Sequence, residues 1–544
     1  MINKVMKILI KTLQKLEIPV PEHILVERSR TSEHGHFATN LAMVLTKVLR
    51  KNPMIIAEEI VNAIEPEEDF IQKVEVKKPG FINFFLTENT LQNVVLNVLE
   101  RNENFGKSEL GKGKKVQVEF VSANPTGPLT VGHGRQAVLG DCIARILEWN
   151  GYEVEREYYY NDAGRQMRIL GLSTYHRYKQ ILGSQDPMPE DYYQGEYIRD
   201  IAQKIAEEQG DKYINDPDND IFKNSAEKAV FEDIEATLRN LDIHFDRYYN
   251  ERTLYEDGRI EKVLEDFKKI DAIYEKDGAI WFKGTEFGVD TDRVLWKSVI
   301  NEATYRLPDI AYHRTKFERG YDKIIDVFGA DHHATYPDVL AGLKALNYET
   351  NRINVIIHQF VTLTRGGEKV KMSTRKANFV TLDELADIVG KDVVRYFFIM
   401  RNANSHLDFD LELAVTEGDE NPVFYLQYAT ARISSIFRKA DKLGIDYQKA
   451  IDLSVLVTVE ELNLMYTLAE FGEVVETCEK SLEPQQIANY LQKLATAFHK
   501  FYSECVVISS DEKITHARLL LAKATRIVLV NGLQMLGVSA PEKM

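Results

Sequence analysis

The chain has 544 residues, with 44% hydrophobic and 28% charged side chains and a formal net charge of −16. This composition is typical of a soluble globular protein of about three domains, and it excludes a disordered or fibrous chain. The negative charge argues against binding nucleic acid over the whole surface, although basic islands at residues 1–30 and 365–376 suit local contacts with a large RNA.

The cysteines and the hydropathy pattern limit where the chain can act. Cys142, Cys478 and Cys505 are widely spaced and form neither a disulfide framework nor a zinc-binding pattern. The amphipathic N-terminal stretch lacks the continuous apolar core of a signal peptide, and no stretch is long enough to span a bilayer. We therefore expect a protein of the reducing cytoplasm that makes no membrane contact.

The first 112 residues predict a small α+β module. The spacing of apolar side chains indicates two helices and two strands, at residues 37–49, 53–64, 70–76 and 81–86. The strands are joined at Pro79-Gly80, which favours a turn. A charged, glycine-bearing linker at 106–113 predicts a domain boundary.

The stretch from Glu119 to Asp141 reads as a strand, a tight loop and a helix that starts at Val131. Gly132 and Gly134 leave the first helical turn uncovered, so its free amides and partial positive charge suit a phosphate. His133 can add a side-chain donor. The stretch contains neither a P-loop nor a GxGxxG pattern, and an ordinary strand–helix turn with a capping histidine is the alternative.

Residues 113–385 alternate between predicted strands and helices, which indicates an α/β sheet. Strand candidates lie at 153–160, 282–290, 310–313, 323–327 and 354–361. A charged, tyrosine-rich helical composition from about 171 to 240 predicts an insertion between two halves of the sheet.

Polar clusters at strand ends are where an open α/β sheet binds its ligands. Gly329-Ala330-Asp331-His332 follows a predicted strand, and its Gly-Ala step lets an adenine approach the backbone. A metal site at the adjacent histidines is the less favoured alternative. Residues 365–376 place five basic side chains on a second, glycine-bearing loop.

From residue 386 the chain predicts an almost entirely helical bundle. Its surface suits either an RNA or a protein partner, and its aromatic positions are interpreted as core rather than as a base-stacking platform.

Two motifs carry a resemblance to the class I aminoacyl-tRNA synthetases. Val131-Gly132-His133, preceded by Asn124 to Leu129, resembles the end of the "HIGH" element, with Thr130 in place of the first histidine. Lys371-Met372-Ser373 resembles the start of the "KMSKS" loop, with Thr374-Arg375 in place of the family's Lys-Ser. The order and separation of the pair are far more specific than either motif alone.

Over nearly its whole length the sequence is similar to the bacterial-type arginyl-tRNA synthetase family. The resemblance implies an N-terminal tRNA-contacting α+β module (1–112), an α/β Rossmann-type catalytic domain with a helical insertion (113–385) and a C-terminal all-α helical bundle that binds the anticodon (386–544). It also implies a monomer that uses ATP with Mg²⁺, L-arginine and tRNA(Arg), and an activation step that needs bound tRNA.

The same resemblance implies the site residues. The motif region is Ala123, Asn124, Pro125, Thr126, Gly127, Pro128, Leu129, Thr130, Val131, Gly132 and His133. Catalytic roles go to His133, Thr130, Lys371 and Arg375, and the choice between Lys371 and Arg375 as the loop cation stays open. ATP-binding roles go to Gly132, His133, Gly329, Ala330, Asp331, His332, Val370, Lys371, Met372 and Ser373.

The arginine pocket is implied together with its chemistry. A guanidinium is a planar fork of donors with a fixed charge, so its pocket needs carboxylates and neutral acceptors. The expected residues are Glu119, Ser122, Asn124, Glu251, Tyr305 and Asp309. Such a pocket rejects competitors without an editing domain. The alternatives are another class I enzyme and a non-catalytic tRNA-binding relative, which Thr130 and Thr374 would favour.

Overall fold

The computed structural model describes residues 1–29, 34–65, 69–162, 164–370, 380–447 and 452–544. An antiparallel α+β module, a parallel α/β sheet and a helical C-terminal part follow one another along the chain. This architecture confirms the predicted fold class. Within the described ranges, no helix has both the length and the apolar character needed to cross a membrane.

The N-terminal module is a four-stranded antiparallel sheet, of order β1-β2-β4-β3, with helices packed against it. Its elements are α1 (Ile2–Lys15), β1 (Val26–Arg28), β2 (Phe37–Thr39), α2 (Leu41–Leu49), α3 (Pro53–Ala63), β3 (Ile71–Lys77), β4 (Phe81–Leu86) and α4 (Glu88–Arg101). The turn between β3 and β4 falls at Pro79-Gly80, as the sequence predicts. Asn52 caps α3 by accepting a hydrogen bond from the Met54 N–H, and Pro53 occupies the first helical position.

The central sheet has five parallel strands in the order β13-β12-β5-β6-β7. The elements up to its last strand are β5 (Lys115–Glu119), α5 (Val131–Trp149), β6 (Glu153–Tyr160), α6 (Gly164–Ile181), α7 (Glu196–Gln209), α8 (Asp220–Asn240), β7 (Arg247–Asn250), α9 (Arg252–Glu256), α10 (Arg259–Lys269), β8 (Ile273–Lys276), β9 (Ala279–Phe282), β10 (Arg293–Lys297), β11 (Glu302–Ala303), α11 (Arg306–Glu318), β12 (Lys323–Gly329), α12 (Tyr336–Ala345) and β13 (Ile353–His358). The chain runs outward from β5 to β7 and returns on the other side of β5 to β12 and β13. The strand order therefore reverses between β5 and β12, which is where such sheets open a ligand crevice.

The two faces of β5 are covered by different helices. Phe120 lies against α5, and Gln117 and Glu119 point to the other face, where Tyr312 and Lys316 of α11 contact them. The strand is buried on both faces, as is usual in a parallel sheet. Helices α6, α7 and α8 lie between β6 and β7 in the chain and form the helical segment that the composition of residues 171–240 predicts.

The approach of α5 to β5 depends on Gly140. A Cβ atom added at Gly140 would stand 2.2 Å from Cγ of Phe120, far inside van der Waals contact, and Phe120 is fully buried. We expect Gly140→Ala to lower the free energy of unfolding by about 1–3 kcal/mol, because the helix or the ring must move. Denaturant unfolding measures this loss.

Gly472→Ala is the matched control for that substitution. Gly472 is also helical, in the first turn of α18 (Phe471–Ser481), and no atom lies within 4 Å of an added Cβ there. The change should leave stability equal or raise it by about 0.5–1 kcal/mol. Equal unfolding curves for the two variants would contradict the close packing of α5 on β5.

Two strand predictions are wrong. Residues 310–313 lie inside α11, and residues 282–290 contain only the last residue of β9 before a 3₁₀ turn at Gly284–Phe287. Ile310, Tyr312 and His313 are all buried, because α11 packs against α10, α12 and the central sheet together. A helix that is buried on several sides has no solvent-exposed polar face there, so a short apolar run in it resembles a buried strand.

Two smaller sheets and the C-terminal helices complete the molecule. Strands β8 to β11 form one antiparallel sheet, and the other small sheet has three strands in the order β15-β14-β16. The remaining elements are β14 (Val361–Arg365), β15 (Glu368–Lys369), α13 (Leu382–Val389), α14 (Lys391–Ile399), β16 (Leu407–Asp410), α15 (Leu411–Val415), α16 (Pro422–Lys442), α17 (Val459–Ala469), α18 (Phe471–Ser481), α19 (Gln485–Glu504) and α20 (Glu512–Met535). Helices α17 and α20 pack against α4, which joins the helical part to the N-terminal module. The predicted boundaries of the three domains stay predictions.

Candidate functional site

A cavity of about 650 Å³ opens at the carboxyl ends of the central strands, beside the point where the strand order reverses. It brings together most of the site residues expected from the sequence. Those that line it are Glu119, Ser122, Ala123, Asn124, Thr130, Gly132, His133, Glu251, Tyr305, Asp309, Gly329, Ala330, Asp331 and His332. His133 and Asp309 therefore face the same space, although they are far apart in the chain.

Some expected residues lie elsewhere. Leu129 and Val131 are buried and anchor the motif rather than line the cavity. Val370 continues the β14–β15 hairpin, where its N–H donates to the Leu363 carbonyl at 2.9 Å. Lys371, Met372, Ser373 and Arg375 lie outside the described residues, so their roles stay predictions.

The start of α5 holds His133 in one tautomer. The Thr130 N–H donates to Nδ1 of His133 at 3.1 Å, and the Thr130 hydroxyl lies 3.3 Å from the same nitrogen. Because Nδ1 accepts, the proton of the neutral ring is on Nε2. Burial lowers the pKa of His133. The imidazole is thus a neutral donor, and Thr130 contributes to its orientation.

Gly132 exposes the backbone of this helix start. An added Cβ would have only Thr130 Oγ1 nearby, at 3.7 Å. The surrounding protein therefore does not require glycine at this position, and the open space is available to a ligand that approaches the amides of the first turn.

The segment that follows residues 371–379 is attached to the same helix start. The Leu382 N–H donates to the Leu129 carbonyl at 2.8 Å, and Thr130 forms an isolated antiparallel bridge with Thr381. Gly134 packs so closely on Leu382 that a Cβ would stand 2.5 Å from its Cδ1 atom. The chain that follows residues 371–379 therefore packs beside the first motif.

The opposite half of the cavity is acidic. Asp309 lies in the first turn of α11, where burial raises its pKa to about 7. The charges of Glu119 and Glu251 also raise this pKa, and His313 opposes them in part. Burial also raises the pKa of Glu251, whose Oε2 accepts a hydrogen bond from the Tyr159 hydroxyl at 2.8 Å. The surrounding protein thus balances a negative charge on these two carboxyl groups only in part. A cation between them would stabilise both as anions.

Glu119 differs from these two carboxylates. Its Oε2 lies 2.6 Å from Nζ of the fully buried Lys316, and its Oε1 accepts from the Ser122 hydroxyl at 3.0 Å. Lys316 also pairs with Asp326 at 2.6 Å. Because both of its oxygens have partners, Glu119 is the least available of the three carboxylates for a new cation.

The backbone is strained where β5 enters the site. Val121 and Ser122 have φ angles of 67° and 40°, in the left-handed region that a β-branched residue such as valine rarely occupies. Ser122 then accepts a hydrogen bond from the Tyr159 N–H at 3.1 Å and donates to Glu119. The turn thus places Ser122 between β5 and β6, and Asn124 follows, donating to Gln166 Oε1 at 2.7 Å.

Several cavity residues were missed in the sequence. They are Gln136, Tyr159, Tyr312, His313, Asp326 and His358. One available signal was the spacing of Asp309, His313 and Lys316, which share one face of a helix at positions i, i+4 and i+7. The strand prediction at 310–313 concealed this polar stripe.

Three family models match successive parts of the chain. The arginyl tRNA synthetase N terminal domain matches residues 3–86, the class I (R) tRNA synthetase catalytic domain matches residues 94–409, and the DALR anticodon binding domain matches residues 426–544. The three matches follow the order of the predicted α+β, α/β and helical parts.

Individual proteins are similar over almost the full length. An arginine–tRNA ligase of Desulfotalea psychrophila is 49% identical over 522 residues, which cover 95% of this chain and 94% of that protein. An arginine–tRNA ligase of Salinibacter ruber is 48% identical over 546 residues, with 97% of each chain covered. The arginyl-tRNA synthetase structure of Thermus thermophilus superposes with a TM-score of 0.79 over 100% of both chains, and at 22% identity it supports the fold alone. The chain belongs to the arginyl-tRNA synthetase family of class I aminoacyl-tRNA synthetases.

Proposed function

We propose that the cavity is the active site of an arginine–tRNA ligase, which activates L-arginine with ATP and transfers it to the 3′ end of tRNA(Arg). The observation that carries this proposal is the pairing of two halves in one cavity. Asp309 and Glu251 provide poorly compensated carboxylates on one side, and the uncovered start of α5 with His133 provides donors on the other. The first half suits a guanidinium and the second suits phosphates.

The reaction has two steps that need no covalent enzyme intermediate. The arginine carboxylate oxygen attacks the α-phosphorus of ATP, a new C–O–P linkage forms, and the bond to the bridging oxygen breaks as pyrophosphate leaves. A terminal ribose hydroxyl of the tRNA then attacks the activated carbonyl, and AMP leaves. Catalysis is mainly positioning and charge stabilisation, in which the amides at Gly132 and the Nε2–H of His133 would contact phosphate oxygens.

Mg²⁺ would enter with the nucleotide. Among the residues that the structure describes, no group of three or more His, Cys, Asp or Glu side chains could hold a metal ion. Mg²⁺ commonly keeps several waters and binds through substrate phosphates rather than in an all-protein cage. The cation of the 371–379 segment, Lys371 or Arg375, would add its charge to the same phosphates.

For the amino acid, we assign Asp309 and Glu251 to the guanidinium and Asn124 to the α-amino group. Glu119 and Ser122 complete the wall, with Glu119 held by Lys316. Tyr305 stands at the mouth of the cavity with 74% of its surface exposed, so its ring and hydroxyl are accessible to an incoming substrate.

The helical part would contact the tRNA. Arg432 on α16 lies over the ring of Tyr428 at 4.3 Å and over that of Tyr502 on α19 at 4.9 Å, and His499 packs beside Tyr425. Tyr502 is 40% exposed. An arginine among accessible aromatic rings suits nucleotide bases and phosphates. All the cavity residues that the structure describes belong to one chain, so a monomer would suffice for the reaction. Its three free, buried cysteines suit the reducing cytoplasm.

Pyrophosphate exchange tests the proposal most directly. The chain is assayed with each amino acid in turn, with and without tRNA(Arg). Exchange should appear with arginine alone among the amino acids, and only when tRNA is present. Exchange with a different amino acid would assign another synthetase activity, and tRNA binding without ATP consumption would indicate a non-catalytic relative.

Arginine binding should depend on pH through Asp309. The bound guanidinium, which stays charged, favours the deprotonated carboxylate, so binding releases a proton when Asp309 is protonated in the free enzyme. We expect the Kd for arginine to be flat above pH 7 and to rise by up to ~10-fold per pH unit below it. Calorimetry in buffers of different ionisation enthalpy measures the released proton.

The matching variant for this pH dependence is Asp309→Asn. Its binding should be weak and nearly independent of pH between 6 and 7. A Kd for the wild type that stays constant from pH 8 to pH 5.5 would contradict the assignment of a raised carboxyl pKa to the arginine pocket.

A further inference from the structure

His358 ends β13 at the cavity, apart from the carboxylates and from the start of α5. It is the register partner of Gly329 on the neighbouring strand β12, and both residues line the cavity. The side chain is only 6% exposed. A buried imidazole in the wall of a substrate cavity needs partners for both of its nitrogens.

One nitrogen of His358 has a defined role. Nδ1 lies 3.3 Å from the Gln359 carbonyl, which can only accept, so Nδ1 carries the proton. The same carbonyl accepts from Nη1 of the buried Arg135 at 2.7 Å. Arg135 also donates to the carbonyls of Asn402 and Ser405, so the Gln359 carbonyl is firmly held. The tautomer of His358 is thereby fixed, with Nε2 unprotonated.

The other nitrogen is a bare acceptor. Nε2 of His358 is buried and has no hydrogen-bond partner among the residues that the structure describes. It lies 3.8 Å from the position that a Cβ of Gly329 would occupy, which directs it toward the glycine surface of the cavity. Burial lowers the pKa of His358 to about 4, so the ring is neutral and Nε2 keeps its lone pair near pH 7.

The three other histidines of the cavity differ from His358. His332 is half-exposed, so water can reach its ring. Nδ1 of His133 accepts from Thr130, so its Nε2 donates, and both nitrogens of His313 have partners, in the Asp309 carbonyl and the Asp326 carboxylate. Within the described residues, His358 is thus the cavity histidine with a buried nitrogen that has no hydrogen-bond partner. A ligand donor that reaches Nε2 would be stabilised there, because an unpaired buried acceptor is costly.

We propose that Nε2 of His358 accepts a hydrogen bond from the 6-amino group of the ATP adenine and so helps to select adenine. This inference rests on the proposed function. The carboxylate half of the cavity takes the cationic donors of arginine, whereas the surface beside Arg135 and His133 takes a neutral donor. Gly329 lacks a side chain, and Phe360, 64% exposed at the same wall, offers a ring on which a flat base can stack.

The test pairs a change in the base with a change in His358. Purine riboside 5′-triphosphate lacks only the 6-amino group of ATP. The KM of each nucleotide is measured by arginine-dependent pyrophosphate exchange, with tRNA, for the wild type, His358→Phe and His358→Gln. Phenylalanine keeps a ring but removes the acceptor, whereas the amide oxygen of glutamine can reach the position of Nε2.

The wild type should prefer ATP over the analogue by about tenfold in KM. His358→Phe should raise the KM for ATP by the same factor and leave that of the analogue unchanged, so that discrimination disappears. His358→Gln should restore most of it. The KM for arginine should not change. Calorimetry of ATP binding should rank the wild type and the two variants in the same order as their KM values for ATP. His358→Phe should melt no lower than the wild type, because it removes an unpaired buried acceptor.

Three outcomes would overturn the proposal. The first is that the wild type has equal KM values for the two nucleotides. The second is that His358→Phe raises both KM values equally, which would indicate a general structural role. The third is that the rise in KM caused by His358→Phe disappears with 2′-deoxy-ATP or 3′-deoxy-ATP instead of with the analogue, which would assign Nε2 to a ribose hydroxyl. Each of these leaves arginine-dependent exchange intact, whereas failure of the proposed function would abolish exchange with arginine in the wild type itself.

Discussion

Replacing Asp309 by asparagine is expected to raise the KM for arginine by ~30-fold or more and to leave the KM for ATP nearly unchanged. The carboxyl group lies in the wall of the cavity, where burial and neighbouring carboxylates raise its pKa to about 7. A guanidinium beside it supplies the counter-charge that the empty pocket lacks, in an environment that water screens poorly. Asparagine keeps the size of the side chain but cannot provide a charge-assisted hydrogen bond.

Asp271→Asn is the matched control for Asp309→Asn. The Asp271 side chain is 89% exposed and pairs with Lys283 at the surface, so steady-state kinetics should match the wild type. Asp309→Asn itself should melt at an equal or higher temperature, because the amide replaces a carboxyl group that is costly to ionise there. An unchanged KM for arginine would mean that another carboxylate contacts the guanidinium. Glu251→Gln would then be expected to raise that KM instead.

The local structure around the first motif was predictable because it depends on neighbouring residues. The sequence predicts a strand at 153–160, and the structure places one at Glu153–Tyr160. The glycines and the histidine after Thr130 predict a bare helix start, and α5 begins at Val131. The gathering of polar groups at strand ends follows from the parallel order of the sheet, so the cavity could be anticipated in outline.

The pairings across the cavity were not predictable, because they depend on tertiary register. Lys316 reaches Glu119 and Asp326 only because α11 lies across the polar face of β5, and the sequence of α11 was misread as a strand. The unpaired nitrogen of His358 depends on where Arg135 places the Gln359 carbonyl, through contacts that span more than 200 residues. Such contacts leave no local pattern in a single sequence.

His133→Ala is expected to lower kcat about 100-fold, with a much smaller change in the KM for ATP. The imidazole donates from Nε2 at the start of α5, where negative charge develops on the phosphate oxygens as pyrophosphate leaves. A donor aimed at that charge stabilises the transition state more than the bound substrate, so its loss falls on the rate. Single-turnover formation of arginyl-adenylate, measured with tRNA bound, isolates this step.

Nδ1 of His133 also accepts a hydrogen bond from the Thr130 N–H and so caps the start of α5. Two further variants separate this capping role of Nδ1 from the donor role of Nε2. His133→Asn can keep an acceptor at the position of Nδ1 and should be as stable as the wild type but as slow as His133→Ala. His133→Gln can place an amide donor near the position of Nε2 and should be faster than both, with a stability loss of about 1 kcal/mol from the missing cap. If the asparagine variant turned over at the wild-type rate, the Nε2 donor would have no catalytic role, and the amides of the first helical turn would have to stabilise the phosphates without it.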